Sequence, residues 1–360
     1  MTRQDRKAMQ HLELRAGPKA LERIRDEGLQ PSQVTAISAA SGGPKWLILA
    51  GFDQYFFGQW LATAEQPITL TGSSIGAWRM AMQALPDADD ALARFLHSYV
   101  HEQRYPHRPG PAIISAECRR LLDLALGETG AEAAANNPRR PLRIIANRMA
   151  PERRLSTPGL YARLLGAATA NRLGREKLGR WVRRSLFESE AAADTLPELN
   201  DLPTERARLT ADNLRPALLA SGAIPGVMEV IHDIPGGKQG TYLDGGITDY
   251  HPALPEDTGD GIRLFPHFYS FAVPGWFDKS NDKRHNRLPG LDNTLIIAPS
   301  RELVASLPHG KIPDRKDFYR FSDEERIAYW EQVLDASRRM GEAFLAINDS
   351  GKIADSVRPL

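Results

Sequence analysis

Apolar positions switch between helical and strand spacing twice within the first quarter of the chain. Residues 18–29 place Leu21, Ile24 and Leu29 on one helical face, which predicts a short amphipathic helix. Val34 to Ala40 reads as a buried strand running into Ser41-Gly42-Gly43. Lys45 to Trp60 is apolar and aromatic and predicts a helix. Pro44 suits its first turn, where the missing N–H has no helical partner anyway. Ile68 to Gly72 predicts a second short strand and Ala77 to Leu85 a second helix. This strand–helix alternation with short links predicts a parallel or mixed sheet covered by helices.

Farther along, Leu142 to Ala146 has strand character, and residues 160–184 read as one long, interrupted helix. Asn213 to Ala220 predicts a shorter helix ended by Gly222 and Pro225. Thr241 to Leu243, Leu264 to Val273 and Thr294 to Ala298 predict later strands. Asp323 to Ala346 predicts a long helix opened by a Ser322/Glu325 capping box. With no internal repeat and no low-complexity linker, the expectation is one α/β domain over residues 1–360, three-layered around a mostly parallel sheet. A basic helical insertion is expected at about 100–205 and a C-terminal helix at about 323–346.

Composition adds little until charge is mapped. A hydrophobic content of 42% over 360 residues supplies a sizeable core, and a net charge of +1 selects no partner. Residues 138–184, however, hold 13 Arg and Lys against Glu152 and Glu176, with acids gathered downstream at Glu188, Glu190, Asp194, Glu198, Asp201 and Glu205. Two readings follow: a solvated basic face neutralised by that acidic stretch, or a surface for anionic lipid. No nucleic-acid-binding motif accompanies the charge. The single cysteine, Cys118, forms no internal disulfide, and its bland reading is a small apolar residue on a helix. The charged start Met-Thr-Arg-Gln-Asp-Arg-Lys is followed by no apolar run, so the expectation is a cytoplasmic protein without a signal peptide, with peripheral membrane contact open. No H-E-x-x-H, cysteine pair, EF-hand loop or G-x-G-x-x-G suggests a metal or a dinucleotide, and no cofactor is expected.

The candidate chemistry lies at the strand-to-helix turns. Acyl transfer by serine needs a base within hydrogen-bond reach, N–H donors for the developing oxyanion, and a sharp turn that lifts the serine clear of the sheet. Gly72-Ser73-Ser74-Ile75-Gly76 has the G-x-S-x-G form with Ser74 central, between a predicted strand and a predicted helix. The plainer alternative is a helix cap. One strand–helix–strand unit earlier, Ser41-Gly42-Gly43-Pro44-Lys45 occupies an equivalent turn, where Gly42 and Gly43 can aim N–H groups towards Ser74. Its alternatives are a plain tight turn or a phosphate cradle. Asp244-Gly245-Gly246 follows a predicted strand and alone could be a loop turn.

In this order the blocks resemble the patatin-like phospholipase family. Against the family's G-G-G-x-[RK]-G turn, Gly42, Gly43 and Lys45 match, while Ser41 and Trp46 replace the first and last glycines. Ala220-Ser221-Gly222-Ala223-Ile224-Pro225 matches the A-S-x-A-x-P block. Pro252 falls on the family's proline, and Tyr250 stands where asparagine is common. The resemblance covers 34–85 and 211–252. It implies a Ser74–Asp244 dyad without histidine, an oxyanion hole at Gly42 and Gly43, and supporting roles for Gly72, Gly76, Lys45, Gly245 and Gly246. The implied activity is hydrolysis of a lipid acyl ester, phospholipid among the candidates. An aspartate of ordinary pKa, about 3.9, is a feeble base at neutral pH, so Asp244 is expected to be partly buried with a raised pKa.

Alternatives remain at this stage. An α/β-hydrolase with a Ser-His-Asp triad would draw on His251, His267 or His309, all of which follow Asp244. A catalytically silent lipid-binding protein of the same fold, or an acyltransferase, would carry the same residues.

Overall fold

A computed structural model describes residues 9–106 and 108–360. The reading of the extreme N-terminus as free of a signal peptide falls on residues 1–8 and lies outside the described residues. The strands are β1 (Leu12–Ala16), β2 (Val34–Ala39), β3 (Thr69–Ser73), β4 (Leu142–Met149), β5 (Val182–Glu188), β6 (Thr204–Arg208), β7 (Ile231–His232), β8 (Thr241–Asp244), β9 (Ile262–Pro266), β10 (Thr294–Pro299) and β11 (Arg358–Pro359). They form one mixed sheet in the order β11-β1-β10-β9-β2-β3-β4-β5-β6, with β8 paired to β4 and to β7. The run β10-β9-β2-β3-β4 is parallel throughout. Helices flank the sheet in a three-layer α/β/α arrangement. Strands β3, β4, β9 and β10 are buried along their whole length, as a sheet covered on both faces requires.

The helix Leu47–Tyr55 that follows the first glycine turn packs along the long helix Asp323–Asp349, where Phe52, Phe56 and Trp60 interleave with Phe344. The Ser322/Glu325 capping box opens that long helix as expected. A fully buried ion pair, Asp53 with Arg79, ties the helix after the first turn to the helix Ile75–Gln83 after the second. The two turns are therefore held by one rigid pair of helices.

Three expectations change. The stretch 160–184 is a helix only over Thr157–Leu173, then a 3-10 segment, and from Val182 it is strand β5. Arg183 and Arg184 hide the strand pattern, because Arg184 is buried and satisfied by acids rather than solvated. The strand expected over Leu264 to Val273 ends at Pro266, which has no N–H to give, although the next N–H, that of His267, still reaches the Ile297 carbonyl at 2.8 Å. The segment 100–205, expected as a helical insertion, supplies β4, β5 and β6 to the sheet.

The basic segment is partly internal. Arg143, Arg148 and Arg184 are buried, and their partners include the downstream acids Glu188, Glu205 and Asp201. Neither a solvated face nor a lipid surface describes these three. Arg139, Arg153, Arg154, Arg172, Lys177 and Arg180 stay exposed. Among the described residues, no helix is long and apolar enough to cross a membrane.

Candidate active site

The turn after β3 is sharp because its flanks have no side chains. A Cβ on Gly76 would fall 2.3 Å from the Ala39 carbonyl oxygen, and one on Gly72 would fall 2.5 Å from the Ala77 backbone. Ser74 sits between them with φ 54° and ψ −131°, a strained conformation for a residue with a side chain. The serine therefore leaves the line of the strand just before the helix Ile75–Gln83 begins. Its N–H donates to Ser221 Oγ at 2.8 Å, and Ser221 in turn donates to the Ile145 carbonyl at 2.6 Å.

Ser74 Oγ donates to Asp244 Oδ2 at 2.8 Å. The other carboxylate oxygen, Oδ1, accepts from the Gly246 N–H at 2.7 Å. Strand β4 brings the two together. Strand β5 takes one edge of β4; along the other edge Ile145 is in register with Ser73 and the next residue, Ala146, with Asp244, so β3 and β8 meet end to end. Next along β4, Asn147 Nδ2 donates to the carbonyls of Asp244 and Gly245, both at 2.9 Å, and is itself oriented by Thr248. Gly245 approaches β4 so closely that a Cβ would lie 2.1 Å from the Ile145 carbonyl oxygen. Asp244 is buried, 8% exposed, and loss of solvent pushes its pKa up to about 6 despite the stabilising bonds from Ser74 and Gly246. A carboxylate of that pKa is ionised at neutral pH and basic enough to take a proton.

Gly42 and Gly43 line the same cavity as Ser74. They open a 3-10 helix, Gly43–Trp46, whose first N–H groups have no helical acceptors. Gly43 has φ +55°, which favours glycine. The two departures from the family turn have local reasons. Ser41 Oγ donates to Ser73 Oγ at 3.0 Å, bonding one turn to the other. Trp46 is buried and stacks on Phe95, 5.2 Å between ring centroids.

Two cavities meet at Ser74. One, of about 430 Å³, has the charged groups Asp244, Lys45, Lys279 and Arg315 in its lining. The other, of about 580 Å³, is walled by apolar groups such as Trp78, Tyr99, Ile114, Leu121, Met228 and Phe318. Gly43, Ile224, Val227, Arg315 and Tyr319 line both. The sequence offered no signal for Lys279 or Asn147. Ser221 stood inside a recognised block without a role.

The histidines lie elsewhere. His251 and His267 are wholly buried, accept the N–H groups of Val273 and Tyr269 at their Nδ1 atoms, and are kept neutral by burial; His267 falls to about 3. His309 stacks on Phe321. No histidine among the described residues hydrogen-bonds Ser74 or Asp244. Burial pushes the Cys118 thiol up to about 12, so it stays protonated. Among the described residues, no group of three His, Cys, Asp or Glu is placed to hold a metal ion.

A family model described as Patatin-like phospholipase matches residues 37–256, which include both glycine turns, β4 and Asp244. A search of the curated proteins finds no match to the chain.

Proposed function

The chain belongs to the patatin-like phospholipase family, whose chemistry is the hydrolysis of lipid acyl esters, and on that premise we propose that it is a serine acyl hydrolase working through Ser74 and Asp244. The observation that carries this reading is the 2.8 Å hydrogen bond from Ser74 Oγ to a buried carboxylate of raised pKa.

In the first half-reaction Asp244 takes the Ser74 proton as Oγ adds to the ester carbonyl. The oxyanion that forms is stabilised by the N–H groups of Gly42 and Gly43. Collapse breaks the bond to the alcohol oxygen, which leaves with the proton held on Asp244, and the acyl group stays on Ser74. Water then adds to this acyl-enzyme, giving its proton to Asp244. The second collapse releases the carboxylic acid and returns the proton to Ser74 Oγ. The larger cavity, with its aromatic and aliphatic wall, suits the acyl chain, and the cavity with the lysines and Arg315 suits the alcohol. The buried, backbone-bonded histidines favour this dyad over a triad.

The test is a panel of acyl esters compared across the parent protein, Ser74→Ala, His251→Gln and His267→Gln. The dyad predicts that only Ser74→Ala abolishes turnover; a histidine variant equally dead, with its fold intact, would sink it.

Contact with anionic membrane falls on the exposed part of the basic segment. Tyr161, Leu165 and Leu173 are exposed on the helix Thr157–Leu173, beside exposed Arg172, Lys177 and Arg180. Vesicle sedimentation should show tighter binding to anionic than to neutral vesicles. Equal binding would remove this part of the reading.

A further inference from the structure

The smaller cavity at Ser74 carries more positive charge than its acids neutralise. Lys45, Lys279, Arg315 and Lys316 line it, against Asp244 and Asp314. Asp314 is engaged by Lys311, whose Nζ donates to it at 3.1 Å, and Asp244 by Ser74 and Gly246. Among the described residues, Lys45, Lys279 and Arg315 have no carboxylate within ion-pair distance.

Lys279 is nevertheless held in place. The residue is exposed at the cavity mouth, but its ammonium lies 3.9 Å from the Tyr250 ring centroid and 5.5 Å from that of Trp276. Aromatic faces fix a cation without neutralising it. Loss of solvent around the ammonium, and then the charges of Lys45 and Arg315, push its pKa down to about 7. Lys45 is likewise pushed down, chiefly by burial. Arg315 lies against the oxyanion turn, its Cγ 3.3 Å from where a Cβ on Gly43 would stand. Asp314 and Asp244 offset this positive charge only in part; crowded cations without ion-pair partners oppose one another, and an anionic ligand relieves the repulsion.

We propose that Lys279 and Arg315 form a subsite for a phosphate on the alcohol part of the ester, and that the site prefers acyl esters whose phosphate carries no compensating cation. The inference rests on the Ser74 reading and adds the substrate class. Both residues lie outside the matched region 37–256, so the family match assigns neither of them. The larger cavity, walled by Trp78, Tyr99, Leu121 and Met228, takes the acyl chain, which leaves the alcohol in the cationic one. A phosphocholine head group would bring a fifth cation into a cavity whose two acids are already engaged. A bare phosphate monoester would find unpaired donors.

The experiment compares three single-chain esters with the same acyl group: monoacylglycerol, monoacylglycerol phosphate and monoacylglycerophosphocholine. The expected kcat/KM is highest for the bare phosphate, by about tenfold or more over each of the others. Lys279→Gln and Arg315→Gln should each pull that ratio towards one, mainly through KM, and Lys279→Arg should keep most of it. Ser74-dependent turnover with a ratio near one, or a ratio unmoved by both Gln variants, overturns the subsite. Loss of Ser74 dependence would count instead against the nucleophile. Calorimetry with glycerol phosphate as probe gives a readout independent of turnover. Binding weakened in both Gln variants supports the subsite; binding no tighter than that of glycerol overturns it.

Discussion

Two groups of cations sit towards opposite ends of the same parallel strands, and they are built in opposite ways. Near the amino ends, Arg143 on β4 and Arg263 on β9 share Glu256, Arg143 also bonds Glu188 at 2.6 Å, and Thr71 on β3 donates to Glu256 at 2.7 Å. All these side chains are buried, and every charge has a partner. Beyond the carboxyl ends, where Ser74 and the glycine turns lie, Lys45, Lys279 and Arg315 line a cavity and have no ion-pair partner among the described residues. Open α/β sheets bind their ligands at the carboxyl ends of the strands. The difference teaches that charge alone does not mark function: a paired, buried arginine holds strands together, and an unpaired cation facing a cavity is free for a ligand.

The comparison breaks most readily at its buried end. Arg143→Met leaves Glu188 and Glu256 short of a partner and should cost about 3–5 kcal/mol of stability, read from the urea midpoint. A cost below about 1 kcal/mol would make the two ends equivalent. An intermediate effect is expected where structure and site meet. Ser221→Ala deprives the Ser74 N–H and the Ile145 carbonyl of their shared hydroxyl, and should lower stability by about 1–3 kcal/mol while reducing turnover. Unchanged stability and turnover would show that this bridge positions nothing. The smallest effect belongs to the cavity. Lys279→Gln should leave the unfolding free energy within about 1 kcal/mol of the parent, since only the contact with Tyr250 and Trp276 is lost and no ion pair. A loss as large as that of Arg143→Met would make Lys279 a structural residue.

The sequence disclosed those parts of this arrangement that depend on local patterns. Both glycine turns, the first two parallel strands and the capped C-terminal helix obey short-range rules of period, turn chemistry and capping. The site's raised-pKa aspartate was also foreseeable, because a carboxylate acting as base at neutral pH needs burial. What stayed hidden depends on contacts far apart in the chain. Strand β5 looked like helix because Arg184 reads as a surface residue until Asp201 and Asp249 are seen beside it. Strand β4 was legible as a strand, but not as the element that sets Asp244 beside Ser74, since that role rests on register with β3 and β8. Lys279 and Arg315 lie 35 and 71 residues beyond Asp244, in stretches without a motif, and only folding brings them to the cavity. The run of basic residues at 138–184 drew attention to charge, but its most buried members serve the sheet.

The proposed dyad has Asp244 activating Ser74. The most direct measurement is the rate at which a fluorophosphonate labels the protein as pH is varied, with the modified residue mapped by mass spectrometry. A base must be ionised to act, and Asp244 is pushed up to about 6. Labelling at Ser74 should therefore rise with pH through about 6, level off above it, and fall about tenfold per pH unit below it. A label that maps away from Ser74, or a rate at Ser74 that stays flat down to about pH 4, would contradict the account.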